Sequence, residues 1–134
     1  MNCILGQAAN ILLVGLGGFA GAAARYLLGG WILHHTVAAK FPWSTFAVNV
    51  LGCLFIGALS AAGERSDLIG PGARLFLFTG LLGGFTTFSA FGFETFFLLR
   101  RGEWLVAALY AASSAAVCVF AVWAGFRALQ VFGR

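Results

Sequence analysis

Four long apolar runs separated by three short polar interruptions set the pattern of this chain. The runs extend from Ile4 to Leu28, Thr45 to Ala62, Ala73 to Leu99 and Trp104 to Leu129. Each is close to or above the ~20 residues that carry a helix across a bilayer. Between them lie Gly29 to Ser44, with His34, His35, Lys40 and Pro42; Gly63 to Gly72, with Glu64, Arg65, Asp67 and Pro71; and Arg100 to Glu103. Trp31, Trp43, Trp104 and Trp123 fall near the predicted span ends, where the amphipathic indole prefers the membrane interface. The pattern predicts an all-α integral membrane protein of four transmembrane helices, with residues 1–134 as a single domain.

The third run is interrupted from within. Gly83-Gly84-Phe85-Thr86-Thr87-Phe88-Ser89 sets glycines, threonines and a serine in the middle of an apolar stretch. Glycine costs about 1 kcal/mol against alanine inside a helix, and threonine loses side-chain freedom there. A break at mid-membrane is predicted, with Thr86, Thr87 or Ser89 capping the second half. The freed backbone groups then need protein, water or an ion as partners. Gly17 and Gly21, Gly18 and Ala22, and Gly80 and Gly84 are each four apart, a spacing that lets helices approach closely.

Composition narrows the class. The chain is 61% apolar and only 9% charged, against roughly 25% charged in soluble domains. A water-facing globule and a disordered chain are both excluded. The net charge of +4 is scattered around apolar runs, so membrane lipid and not nucleic acid is the expected surrounding. Cys3, Cys53 and Cys118 show no CxxC spacing and read as small buried hydrophobes. No Lys or Arg precedes the first run, which reads as a retained span and not a cleaved signal. No nucleophile–base pair or metal-ligand cluster suggests an enzyme.

Orientation normally follows the excess of basic residues on one side. Four spans place Arg65, Arg74, Arg127 and Arg134 on one side and Arg25, Lys40, Arg100 and Arg101 on the other. The tie predicts insertion in both orientations, and hence an antiparallel, dual-topology homodimer.

Polar side chains inside spans are costly and mark function or helix contacts. Thr45 and Asn49 share a face of the second run; Tyr110, Ser114 and Cys118 form a stripe on the fourth. On the second half of the third, Phe88 and Phe91 precede Glu94 and Thr95 on roughly one face. Alone, each reads as a hydroxyl bonded back to its own helix, as interhelical glue or as core. Together, three stripes at similar depth read as a narrow polar pathway. Amide and hydroxyl donors with aromatic ring edges favour an anion, and Arg25 near a span end would draw one in. Composition does not say which anion.

Three stretches carry a resemblance to a known family. They are Gly17-Gly18-Phe19-Ala20-Gly21-Ala22-Ala23-Ala24-Arg25-Tyr26, Thr45-Phe46-Ala47-Val48-Asn49-Val50-Leu51-Gly52 and Gly83-Gly84-Phe85-Thr86-Thr87-Phe88-Ser89-Ala90-Phe91. With them the chain resembles the Fluc (CrcB) family of bacterial fluoride channels along nearly all its length. The resemblance implies an antiparallel homodimer with two pores. It also implies passive fluoride export across the bacterial inner membrane and a role in fluoride resistance. Phe88 and Phe91 would line the pores and Asn49 would donate its amide to fluoride. Tyr110, Ser114 and Cys118 would form a polar track, with Thr45 and Glu94 beside it and Arg25 at the vestibule. Backbone carbonyls of Gly83 and Thr86 would hold a structural Na⁺ that is not transported. The chain departs from the family pattern at Cys118 and Ala90, where hydroxyl residues are usual. The main alternative is a small dual-topology, proton-coupled exporter of multidrug or guanidinium type, with Glu94 as its membrane carboxylate. A further one is a structural subunit whose polar stripes are helix glue.

Overall fold

In a computed structural model, which describes residues 2–65 and 69–132, the chain is helical throughout apart from short connections. Helix α1 spans Asn2–Thr36 and α2 spans Trp43–Arg65. The third span is composite: α3 (Pro71–Arg74), a π-helical segment (Leu75–Leu82), α4 (Gly83–Phe85) and, after a break, α5 (Phe88–Arg100). Helix α6 spans Trp104–Phe132. Four stretches are long and apolar enough to cross a membrane: Gly6–Thr36, Trp43–Glu64, Pro71–Arg100 and Trp104–Val131. Of the residues read above, Asp67 and Arg134 lie outside the described set, as do the side chains of Cys3 and Arg65.

The first helix runs on past the predicted span end. Gly29, read as the start of a loop, lies inside α1 and is buried. The Ser44 hydroxyl reaches across from α2 and donates to its carbonyl at 2.8 Å. Trp31, His34 and His35 therefore ride the last turns of α1. There the Thr36 hydroxyl donates to the Ile32 carbonyl at 2.8 Å. Pro71 stands at the first turn of α3, where its missing N–H costs nothing.

Close backbone approach joins the spans in two pairs. Against the third span, α1 packs so tightly that a methyl group on Gly84 would lie 2.5 Å from the Gly18 carbonyl oxygen. Helices α2 and α6 meet in the same way: a methyl on Gly57 would lie 2.1 Å from the Val122 oxygen, and one on Gly125 2.1 Å from the Leu54 oxygen. In an apolar solvent, association rests on this kind of packing because lipid tails are as apolar as leucine. Large apolar side chains point outward in quantity, with Ile11, Leu12, Phe19, Leu105 and Phe120 all more than half exposed. That surface suits lipid and not water.

Helix α5 joins the α2–α6 pair through a small core of Leu98, Ala107 and Tyr110, with Phe41, Phe46 and Phe91 packed against it. Lys40 pairs with Glu103, which ties the first connection to the third and puts both on one side.

Candidate functional site

The break is two residues wide. Thr86 (φ −82°, ψ 160°) and Thr87 (φ −151°, ψ 119°) are extended, the conformation β-branched residues favour. Each threonine also terminates one half of the span. The Thr86 hydroxyl donates back to the Leu82 carbonyl at 2.9 Å, where the Thr86 N–H also donates. Thr87 is the N-cap of α5, its hydroxyl oxygen accepting from the Ala90 N–H at 3.2 Å, which satisfies one of the orphan donors of the helix start.

Asn49 holds the break open from α2. Its amide donates to the Thr87 carbonyl at 3.0 Å and its oxygen accepts from the Thr87 N–H at 2.8 Å. In an unbroken helix the Thr87 N–H would bond to Gly83 and the Ala90 N–H to Thr86. Both donors are diverted, so the carbonyls of Gly83 and Thr86 lose their helical partners. The Gly84 carbonyl accepts from the Arg25 Nε–H at 3.1 Å. Arg25, expected at a vestibule, thus reaches the last helical turn before the break.

The polar stripes divide into two places. In one, Glu94 accepts from the Thr45 hydroxyl on one oxygen and from the Tyr110 hydroxyl on the other, both at 2.7 Å. Thr45 is buried and Tyr110 is 0% exposed. Phe91 and Phe41 pack on the Tyr110 ring with centroids 5.1 and 5.2 Å away. This knot on α2, α5 and α6 is closed and paired.

The other place is a cavity of about 410 Å³ beside the break. Asn49, Gly83, Thr86, Thr87, Phe88, Phe91, Ser114 and Cys118 line it, with Gly52 and Cys53 from α2. The Phe88 and Phe91 rings stand 5.4 Å apart and tilted by 39°. Phe88 is 83% exposed, so this wall of the cavity is open on one side. Ser114 Oγ is the buried side-chain oxygen without a hydrogen-bond partner among the described residues. One N–H of the Asn49 amide remains after its bond to Thr87. The cavity therefore combines apolar ring surface with the Asn49 amide, an unpaired Ser114 hydroxyl buried in its wall, and no charged side chain among its lining residues.

The structure thus gathers Phe88, Phe91, Asn49, Ser114, Cys118, Gly83 and Thr86 around one cavity. Thr45, Glu94 and Tyr110 form a neighbouring cluster, and Arg25 approaches the break through Gly84. Sequence reasoning named Thr87 among the caps of the second half, and it is the N-cap. It did not find that Asn49 bonds to both backbone groups of Thr87, nor that Cys53 lines the same cavity as Cys118. The Gly-Thr-Thr cluster carried the signal for the cap. The rest depends on how the helices pack, which spacing alone does not show.

The sequence is similar to a known family and to several of its members. The sequence profile described as "CrcB-like protein, Camphor Resistance (CrcB)" matches residues 12–126. A "Fluoride-specific ion channel FluC" of Methylobacillus flagellatus is 47% identical over 122 residues, covering 91% of this chain and 95% of that protein. One of Chlorobium chlorochromatii is 51% identical over 104 residues, covering 78% and 79%. A third, from Geobacter sulfurreducens, is 45% identical over 121 residues, covering 90% and 97%.

Proposed function

The chain belongs to the CrcB-like family, and from that premise we propose that it is a fluoride-selective channel of the bacterial inner membrane. It lets fluoride leave the cytoplasm passively and so lowers fluoride toxicity. It is a transporter and not an enzyme. The observation that carries the reading is the cavity in which Phe88, Phe91 and Asn49 meet the unpaired Ser114 hydroxyl.

Fluoride is small and strongly hydrated, so a narrow path must replace its water with placed donors. The rings of Phe88 and Phe91 present edges that bear the positive end of the aromatic quadrupole. The free N–H of Asn49 and the Ser114 hydroxyl supply hydrogen bonds, and Cys118 adds a weaker thiol donor. Thr45 and Tyr110 give their hydroxyls to Glu94; they extend the track when that carboxylate yields them to the passing ion. Arg25 raises the local positive potential near the break.

The pores belong to an antiparallel homodimer, two per pair. The exposed Phe88 supports it, as a ring that a second copy would cover. With Arg25 held at Gly84 inside the span, the basic residues of the two sides stand four against three and no longer tie. A structural Na⁺ at the dimer centre would be held by the carbonyls of Gly83 and Thr86 from both subunits. Their fit rests on the two helical donors diverted from them, by Asn49 and by the Thr87 cap. Hard cations take such oxygen ligands. When bound, the ion supplies positive charge that favours anion entry. Replacement of all Na⁺ by a large organic cation should then lower fluoride flux, and an unchanged flux would remove the ion from the account.

Proton-coupled export through Glu94 has less support, since both carboxylate oxygens hold hydroxyls in the closed knot and the residue does not line the cavity. The decisive experiment is fluoride efflux from liposomes containing the purified protein, read with a fluoride electrode, with chloride-loaded liposomes in parallel. Rapid fluoride loss that requires valinomycin as the potassium path, with chloride retained, is expected. Phe88→Ile should abolish this flux while leaving the dimer intact. Chloride loss at the same rate, or normal flux in Phe88→Ile, would overturn the proposed path.

A further inference from the structure

Two thiols face the cavity from different helices. Cys53 on α2 and Cys118 on α6 are both free cysteines, and both line the cavity. Their separation is set by backbone. One turn further along each helix, Gly57 meets Val122 so closely that a methyl group would not fit between them. Close backbone contact therefore keeps the two cysteine-bearing turns side by side on the cavity wall, without the need to bring flexible segments together.

From this arrangement we propose that Cys53 and Cys118 form a binding site for a soft d¹⁰ cation such as Cu⁺, Ag⁺ or Hg²⁺. Thiolates select soft ions, and such ions are satisfied by two sulfur ligands. No group of three or more His, Cys, Asp or Glu occurs among the described residues. A tetrahedral zinc centre, which needs four ligands, is thus not what the pair offers. With mercuric chloride, two S–H and two Hg–Cl bonds break and two Hg–S bonds form. Two protons and two chloride ions leave, and no group is oxidised or reduced. Mercuric chloride is a suitable probe because the neutral molecule can enter an apolar cavity.

The site itself stands on the helix geometry. Its effect on conduction rests on the fluoride reading above: an ion bridging the two sulfurs sits in the cavity and blocks the path. The test uses the full-length protein with Cys3→Ser, which removes the third thiol, loaded with one equivalent of mercuric chloride. Excess 2-mercaptoethanol then competes for the metal, and retained mercury is read by mass spectrometry. A two-thiol site should hold its ion at monothiol concentrations about 100-fold above those that strip Cys53→Ser or Cys118→Ser, because the second sulfur binds at high effective concentration. Equal stripping of all three proteins, repeated with alanine in place of serine should either variant fail to fold, would overturn the proposal. Fluoride efflux from the same vesicles separates the two readings. Mercury retained with efflux blocked supports both. Mercury retained with efflux unchanged upholds the site and counts against the cavity as the fluoride path.

Discussion

Tyr110 and Ser114 sit one turn apart on the same face of α6, yet their hydroxyls have opposite fates. Tyr110 is wholly buried and donates a hydrogen bond to Glu94, which also accepts one from Thr45. Ser114 lines the cavity, its oxygen buried in the wall and without a hydrogen-bond partner among the described residues. The first hydroxyl contributes to holding α2, α5 and α6 together. The second holds no helix in place, and it is the donor proposed above for the passing ion. A single polar stripe therefore combines a hydroxyl already paired within the protein and one left unpaired beside the cavity.

Substitutions at the two ends test that division. The largest loss of stability is expected for Glu94→Ala, which strands two buried donors at about 1–3 kcal/mol each. Unfolding in detergent should show a fall of about 2–6 kcal/mol, less any relief found by local repacking. Tyr110→Phe removes one donor and leaves one carboxylate oxygen with fewer partners, for an expected loss of about 1–2 kcal/mol. Ser114→Ala removes a hydroxyl that holds nothing, so stability should stay within about 0.5 kcal/mol while fluoride flux falls. Should Ser114→Ala destabilise more than Tyr110→Phe, the contrast between knot and cavity would not stand.

The sequence makes the large features legible and the tertiary pairings much less so. Four spans follow from hydropathy, and the break at Thr86–Thr87 follows from the local cost of Gly and Thr inside a helix. The glycine spacings of the first and third spans match the close contact of Gly84 with Gly18. The end of α1 was hidden because Gly29 and Gly30 look like a loop until the Ser44 bond to Gly29 is seen. The π-helical segment Leu75–Leu82 reads as an ordinary apolar run. Thr45, Glu94 and Tyr110 were visible as polar residues. That they satisfy one another depends on the relative heights of three helices, which no single-helix periodicity contains. The same is true of Cys53, which shares the cavity wall with Cys118 through the Gly57–Val122 approach.

One break in one span also has an electrical consequence. The aligned peptides of a helix leave about half a positive charge at its amino end and half a negative charge at its carboxyl end. At Thr86–Thr87 the carboxyl end of one half and the amino end of the other lie two residues apart, inside the membrane. Two opposite poles therefore face neighbouring space, one suited to a cation and the other to an anion. Neither requires an ionisable side chain at the break. Such a field does not titrate between acid and neutral pH, and as it is fractional it attracts an ion more weakly than a full lysine or arginine charge would.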